Sequence, residues 1–216
     1  AFSTSPSVTG TFTWSGDTMT FTPDADLTSN TTYTITISTD AKDLADNSMQ
    51  TDHTWEFTTE VITISENLIQ NPGFESGTTP WRFYTNGMGT FMDDASGDGS
   101  PHAGHITISQ EGSNVQLYQP DIVLEPNTQY RLSFKAYSNT GHDVSISLHK
   151  HGSPYTNYGL SDYVVDLGTS WSEYSIQFTT SGFSGTVNDG RLRFWLSPYD
   201  AVGDEYFIDN VILVKV

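Results

Sequence analysis

The chain has 216 residues, with eight Lys and Arg against 26 Asp and Glu and a formal net charge of −18, so nucleic acid and anionic membrane surfaces are excluded as electrostatic partners. It has no cysteine, which excludes disulfides, a thiolate zinc site and a thiol nucleophile. No apolar run approaches the about 20 residues that a transmembrane helix needs, and we predict no membrane insertion.

Four segments of the first sixty residues alternate polar and apolar side chains with the two-residue period of half-buried strands. They are Gly10–Trp14, Thr18–Phe21, Thr32–Ile37 and Thr54–Thr58. Threonines fill the solvent-facing positions, and the predicted buried face consists of Phe12, Phe21, Tyr33, Ile35, Ile37, Trp55 and Phe57. The pattern predicts an antiparallel β-sandwich.

The same region resembles a bacterial immunoglobulin-like repeat. The similar phrases are Phe21–Asp24, Leu27–Tyr33, Ala41–Asn47 and Trp55–Thr59. The resemblance implies an Ig-like domain over residues 1–60. Because Ig-like domains run to about 100 residues, we expect this one to lack its first strands.

Residues 61–216 carry a second series of strand patterns. Val61–Ile64 alternates and predicts a strand at the join between the domains. Further strands are predicted at 106–109, 114–118, 129–137, 144–150, 163–167, 171–179, 190–196 and 206–214. Such a series without helices is typical of a jelly roll. The predicted fold class is all-β, with a partial Ig-like β-sandwich followed by a jelly-roll β-sandwich over residues 61–216.

Two stretches, Asn67–Glu75 and Tyr206–Leu213, bracket this second region. Each places one carboxylate, Glu75 or Asp209, inside an apolar strand-like run, where a charge is costly unless a cation or hydrogen-bond donors meet it. With the strand series, these stretches resemble the calcium-containing jelly-roll carbohydrate-binding modules of families 4, 9 and 22. The resemblance covers Ile64 to Val216.

This resemblance implies one structural Ca²⁺. Its ligands would be the carboxylates of Glu75 and Asp209, the carbonyl of Gly73, and the loop 98–105, where Asp98, His102 and His105 fall at ligand positions. The two histidines would contribute main-chain oxygens. Two alternatives stay open: the His-x-x-His spacing could form a zinc pair, and the two carboxylates could cap turns or pair with a base such as Lys215.

A sugar-binding face is predicted from aromatic and planar polar side chains on one sheet surface. Period two sends Leu192, Phe194 and Leu196 inward and leaves Arg191, Arg193 and Trp195 on the opposite face. The same two-residue period places Gln116, Tyr118 and His149 on the outward face of their strands. The resemblance matches Tyr155 and Tyr158 to the family's aromatic loop, matches Gln116 and Arg191 to sugar-contacting positions, and puts Trp195 where a relative has histidine.

These features predict a noncatalytic polysaccharide-binding module, because the outward faces offer no pair of carboxylates such as a glycosidase needs. We expect a secreted or cell-surface monomer whose ligand is xylan, a β-glucan or a related chain, with a catalytic domain elsewhere in the same polypeptide. Two alternatives are a spacer or adhesion segment of a cell-surface or S-layer-type protein, and a binder of acidic glycans such as alginate, which the arginine pair leaves open.

Overall fold

The computed structural model describes residues 1–43, 45–60 and 66–216, and these residues form strands, turns and loops without a helix. The all-β prediction is therefore confirmed for the described residues. The chain divides into two compact units, Ala1–Ile64 and Ser65–Val216. The strand predicted at Val61–Ile64 lies outside the described residues. No described segment is a helix long and apolar enough to cross a bilayer.

The first unit contains five described strands. They are β1 (Phe2–Ser5), β2 (Gly10–Ser15), β3 (Thr18–Pro23), β4 (Thr32–Ile37) and β5 (His53–Thr58). Strands β1, β4 and β5 form one antiparallel sheet in that order, and β2 pairs with β3 as a hairpin. The four predicted strands are present. Sequence patterning missed β1, which is short and contains one apolar residue, Phe2.

The predicted buried face of this unit is only partly correct. Tyr33 and Ile35 on the central strand β4 are buried, whereas Phe12, Trp55 and Phe57 are each more than two-fifths exposed. Within the described residues β5 pairs only with β4, so its side chains have strand neighbours on one side. An edge position leaves even large apolar side chains partly in water.

The second unit contains ten strands. They are β6 (Arg82–Thr85), β7 (Met88–Asp94), β8 (Ala103–Gln110), β9 (Val115–Leu124), β10 (Gln129–Ser138), β11 (Val144–Lys150), β12 (Asn157–Val165), β13 (Ser172–Thr179), β14 (Val187–Trp195) and β15 (Glu205–Lys215). All eight predicted strands are found. The prediction missed β6 and β7. It also began β12 six residues late, because Gly159 and Asp162, both at positive φ, interrupt the alternation of this strand.

These ten strands form two five-stranded sheets. The front sheet has the order β12-β11-β14-β9-β6, and the back sheet has the order β13-β10-β15-β8-β7. Between them lies a single apolar core, in which Ile146, Leu192 and Phe194 of the front sheet and Leu132 and Phe134 of the back sheet are almost completely buried. The arrangement is a β-sandwich with one side of each sheet facing inward.

A bulge in β15 determines where one predicted site residue points. Asn210 has φ of 49°, and the pairing register between β10 and β15 shifts at the facing residues Ser133 and Lys135. An extra residue of this kind reverses the alternation of side chains. Ile208 therefore faces the core on one side of the bulge and Val211 on the other, and Asp209 lies outside the apolar core.

Candidate functional site

The outer face of the front sheet gathers the polar side chains that the sequence placed there. Along β14, Leu192, Phe194 and Leu196 are buried in the core, so Arg191, Arg193 and Trp195 project from the opposite face as predicted. The strand register sets Trp195 beside Gln116 and Ser145, sets Arg193 beside Tyr118 and Ser147, and sets Arg191 beside His149. Three successive rows of polar and aromatic side chains thus cross the sheet.

A groove of about 430 Å³ opens on this face. It is lined by Asn114, Gln116, Ser147, His149, Tyr155, Asn157, Ser161, Asp162, Arg191 and Arg193. Its lining therefore offers amides, hydroxyls, an imidazole and two guanidinium groups, with one aromatic ring. Asp162 is the single carboxylate among these lining residues.

Arg191 is held between aromatic rings on the groove floor. Its guanidinium carbon lies 4.8 Å from the centroid of Tyr118 and 5.8 Å from that of Tyr155. Its Nε and Nη2 donate to Nε2 of His149 at 3.3 and 3.2 Å. Cation–π contacts of this length fix a guanidinium in place while its N–H groups stay available.

His149 serves as an acceptor for Arg191 because its other ring nitrogen carries the proton. Nδ1 lies 2.8 Å from the carbonyl of Lys150, and donation to that carbonyl leaves Nε2 as an acceptor. Burial, with the charges of Arg191, Arg193 and His151 acting in the same direction, lowers the pKa of His149 to about 4. The imidazole is therefore neutral at ordinary pH.

Arg193 has partners inside the groove. Its Nη2 donates to Oγ of Ser147 and to Oδ1 of Asp162, both at 3.1 Å. Its guanidinium carbon also lies 4.6 Å from the ring centroid of Trp195. Burial lowers the pKa of Arg193, and the Asp162 carboxylate opposes that shift. This arginine is thus an ion-paired, fixed element of the groove wall.

Tyr155 projects from the loop between β11 and β12 at the rim of the groove. Its side chain is 57% exposed, and its main-chain N–H donates to the carbonyl of Gly152 at 2.8 Å. Its ring meets that of His149 edge to face, with centroids 6.1 Å apart. An exposed ring braced on one side presents a flat apolar surface to a ligand.

Three of the predicted ligand-binding residues lie elsewhere than on the groove lining. Tyr158 is buried in the core, packs on Phe183, and donates its hydroxyl to Asp189 at 2.8 Å, so its ring is not accessible to a ligand. Burial raises the pKa of Tyr158 to about 12. Alternation within β12 explains this, because Asn157 lines the groove and the next residue, Tyr158, faces the opposite side of the sheet. The ring of Tyr118 contacts the guanidinium of Arg191, and the ring of Trp195 contacts that of Arg193 on the same face of the sheet.

Sequence reasoning missed several residues of this surface. Asn114, Asn157, Ser161 and Asp162 line the groove from strand ends and turns, where short polar side chains give no distinctive signal. Tyr84 is exposed on β6 and pairs with Gln116, so it extends the row that contains Trp195. The alternation of Phe83 and Tyr84 was the signal that could have located it.

Most of the predicted calcium ligands form a second cluster. Asp209 is fully buried, and its carboxylate accepts hydrogen bonds from the N–H of Asp98 at 2.9 Å, from Oγ of Ser100 at 2.8 Å and from the N–H of Asn210 at 2.6 Å. The carboxylate therefore caps the loop 98–100, one of the alternatives that the sequence left open. Lys215, the base named in the other alternative, binds Glu125.

Glu75 approaches Asp209 across Gly73. A Cβ on Gly73 would lie 3.4 Å from Oδ1 of Asp209 and 3.5 Å from Oε1 of Glu75, so the two carboxylates converge on the space beside this glycine. Glu75 also accepts a hydrogen bond from the N–H of His102 at 3.0 Å. It lies in a turn with one isolated bridge to Gly77, which corrects the prediction that it sits within a strand.

His105 does not join this cluster. It lies inside β8 and pairs with both Met92 and Phe207, so its main chain belongs to the sheet ladder and is not free to bind a cation. Its Nε2 lies 2.9 Å from Glu205, and its ring stacks on Phe207 with centroids 4.1 Å apart. No three His, Asp or Glu side chains within the described ranges are placed to hold a metal, which leaves the zinc-pair alternative without a third side-chain ligand.

Comparison with known families agrees with this architecture. A family model described as a carbohydrate binding domain, CBM_4_9, matches residues 66–201, and a model described as a bacterial Ig-like domain matches residues 1–59. The chain belongs to the CBM_4_9 family of carbohydrate-binding domains. A search of curated proteins found no match.

Solved structures of other carbohydrate-binding modules share the jelly-roll fold of the second unit. A CBM4 structure superposes with a TM-score of 0.52 at 22% identity, over 66% of this chain and 99% of that one. TmCBM61 in complex with β-1,4-galactotriose gives 0.52 at 19% identity, over 70% and 100%. The CBM22-1 xylan-binding domain from Paenibacillus barcinonensis gives 0.52 at 14% identity, over 70% and 96%. At these identities the likeness shows the fold.

Proposed function

We propose that the groove on the front sheet binds a polysaccharide chain. The observation that carries this proposal is the half-exposed ring of Tyr155 at the rim of a groove whose floor and walls hold Arg191, Gln116 and Asn157. An aromatic face stacks on the C–H side of a pyranose, and planar amide and guanidinium groups meet its hydroxyls. Membership of a carbohydrate-binding family supports the same function.

The proposed ligand is a β-linked chain of the xylan or β-glucan type. A groove of about 430 Å³ is the size of site that takes a ligand of a few sugar rings. Tyr155 provides the stacking surface, and Gln116, Arg191 and Arg193 provide hydrogen bonds. Trp195 and Tyr84, which lie on the same face outside the groove lining, extend this surface toward β6. The chain would then run across the strands.

We propose a noncatalytic role for this site. Glycoside hydrolysis needs two carboxyl groups about 5 to 10 Å apart around the scissile bond. Asp162 is the one carboxylate of the groove lining, and Arg193 already pairs with it. The module would therefore hold a catalytic domain of the same polypeptide against its substrate and raise the local concentration.

We also propose that Ca²⁺ binds between Glu75 and Asp209. The donor set fits a hard cation, because Asp209 is a fully buried carboxylate that no basic side chain within the described ranges pairs with. The two carboxylates and the carbonyls of Gly73 and His102 would hold the ion, whereas the carbonyl and the carboxylate of Asp98 bind Lys135. Such an ion would join the loop 98–102 to β15 and stabilise the fold.

The module is proposed to be secreted or displayed at the cell surface as a monomer. Carbohydrate-binding and Ig-like domains are typical of extracellular proteins. Polymeric substrates of this kind lie outside the cell, which is where a tethering module can act. The high negative charge keeps such a protein soluble and separate from its copies.

Affinity electrophoresis against xylan, β-glucan, laminarin and alginate tests the proposal. We expect retardation by at least one polymer, and we expect Tyr155→Ala to reduce it strongly. Absence of retardation with every glycan would contradict the binding function. That outcome would instead favour a spacer or adhesion segment, for which the tandem of an Ig-like unit and a second β-sandwich is the supporting observation.

A further inference from the structure

Arg191 is a partly buried cation without an acidic partner. Among the described residues no carboxylate oxygen lies within 4.0 Å of its guanidinium, although the chain has 26 acidic residues and only eight basic ones. Its neighbour Arg193 pairs with Asp162, and Lys42, Lys135, Lys150 and Lys215 each have a carboxylate partner. Arg82 and Arg131 also have no partner of this kind, but both are exposed to water.

The hydrogen bonds of Arg191, a residue of the groove lining, use fewer than half of its N–H donors. Nε and Nη2 both point to the single acceptor nitrogen of His149, which uses two of the five N–H donors of an arginine. The other three have no partner within the described part of the chain. Two of these three form the edge of the guanidinium between Nη1 and Nη2, and this edge can donate two parallel hydrogen bonds.

A neutral acceptor does not balance this charge. His149 contributes a lone pair but no negative charge, and the rings of Tyr118 and Tyr155 contribute only a weak cation–π attraction. Burial costs a cation hydration free energy, and a neutral acceptor returns less of it than an anion does. Asp162, the one carboxylate of the groove lining, is already engaged by Arg193.

We propose that Arg191 recognises the carboxylate of a hexuronic acid residue in the bound chain. The carboxylate would receive two parallel hydrogen bonds from the free edge of the guanidinium, while the ring of Tyr155 stacks on the same or the adjacent pyranose. The ligand would then be a β-linked chain that carries uronic acid groups, or an acidic chain such as alginate. This inference rests on the proposed sugar-binding function of the groove and narrows its substrate class.

The geometry also predicts discrimination against neutral chains. A neutral sugar can accept hydrogen bonds from Arg191 but leaves the charge unpaired in a partly desolvated site. Sites that lose a charged partner discriminate by about 10- to 100-fold or more. Arg193 neutralises Asp162, so the repulsion of an incoming carboxylate by that residue is weak.

The test compares acidic polymers with their carboxyl-reduced forms. Glucuronoxylan, alginate and polygalacturonate are each measured against the same polymer in which every carboxylate is reduced to a hydroxymethyl group. We expect wild-type protein to bind at least one acidic polymer ten times or more tighter than its reduced form. Arg191→Gln should bring the ratio close to one, and Arg191→Lys should keep part of it.

Arg131→Gln is the matched control, because Arg131 is an exposed arginine on β10 of the back sheet. It should leave the ratio unchanged. The inference is overturned if a reduced or neutral polymer binds as tightly as the acidic one, or if Arg191→Gln keeps the ratio. Binding of neutral chains alone would leave the proposed function standing, whereas absence of binding to all polymers would remove both. If the glutamine variant fails to fold, Arg191→Lys decides the matter, because it should lower the ratio and an unchanged ratio would overturn the inference.

Discussion

Arg191 and His149 form a one-directional pair in which the guanidinium donates and the imidazole accepts. The Nη2–Nε2 distance is 3.2 Å, and the Nδ1 of His149 faces the carbonyl of Lys150. A second proton on His149 would remove the acceptor and set a second cation against Arg191, with Arg193 and His151 also nearby. The charge state of His149 therefore controls the floor of the groove.

The first prediction is an acid-dependent loss of stability through His149. The unfolded imidazole binds a proton below pH 6.5, whereas the folded one stays neutral until the pKa of about 4. Stability is therefore complete above pH 6.5 and decreases as pH falls toward 4, with a full loss of about 3 kcal/mol. Urea unfolding of wild type and His149→Gln at pH 7.5 and 4.5 measures it. Only the wild type should lose this increment.

A control for this experiment is His53→Gln, which removes an exposed imidazole from β5 of the first unit. In this variant the free energy of unfolding of the second unit should depend on pH as it does in the wild type. Titration of the His149 ring followed by NMR measures the pKa of this imidazole independently. A ring that titrates near 6.5 in the folded protein would refute the assignment of His149 as a neutral acceptor.

The second prediction concerns the stacking role of Tyr155. Replacing it with alanine should weaken glycan binding by about tenfold or more, since removing an aromatic contact costs about 1.5 kcal/mol. Thermal stability should change little because the ring is mostly exposed. The matched control is Tyr163→Ala. Tyr163 is 48% exposed and pairs with Ile146, whose side chain faces the core, so it lies off the groove. Equal losses in the two variants would contradict the prediction.

The third prediction concerns the packing of Phe74 against Gly104. Gly104 faces this fully buried ring so closely that a Cβ would lie 2.7 Å from its Cζ, and the ring stacks on Trp81 and cannot move away. Gly104→Ala should therefore lower the free energy of unfolding by about 1 to 3 kcal/mol. Gly168→Ala is the control, because its Cβ would meet only atoms at 3.8 Å or beyond. Chemical denaturation of both variants measures the difference.

The fourth prediction is calcium-dependent stability. Ca²⁺ should raise the unfolding temperature of the second unit by several degrees relative to protein in chelator, because the ion binds the folded state alone. Glu75→Gln and Asp209→Ala should each abolish the rise. Asp209→Ala should also lower stability without calcium, since it removes the acceptor of three hydrogen bonds. Identical unfolding curves with calcium and with chelator would rule the site out.

Alternation along each strand was enough to predict most of the fold and one face of the groove. In β14 the period of two separates Leu192 and Phe194 from Arg191 and Arg193, and this assignment depends only on pleat geometry. The pattern failed where the backbone departs from a regular strand. The positive φ of Asn210 shifts the alternation in β15, and those of Gly159 and Asp162 obscured the start of β12.

The sequence by itself determined the all-β class, the two-unit organisation and the side of the sheet on which Arg191, Gln116 and His149 lie, because these depend on local periodicity. Only the tertiary structure decided which of these side chains share a cavity. In the folded protein Tyr158 is buried and Trp195 lies outside the groove lining. Asp162 pairs with Arg193, whereas Arg191 has no carboxylate partner among the described residues. Such pairings follow from strand order and register between distant segments, and no local pattern encodes them.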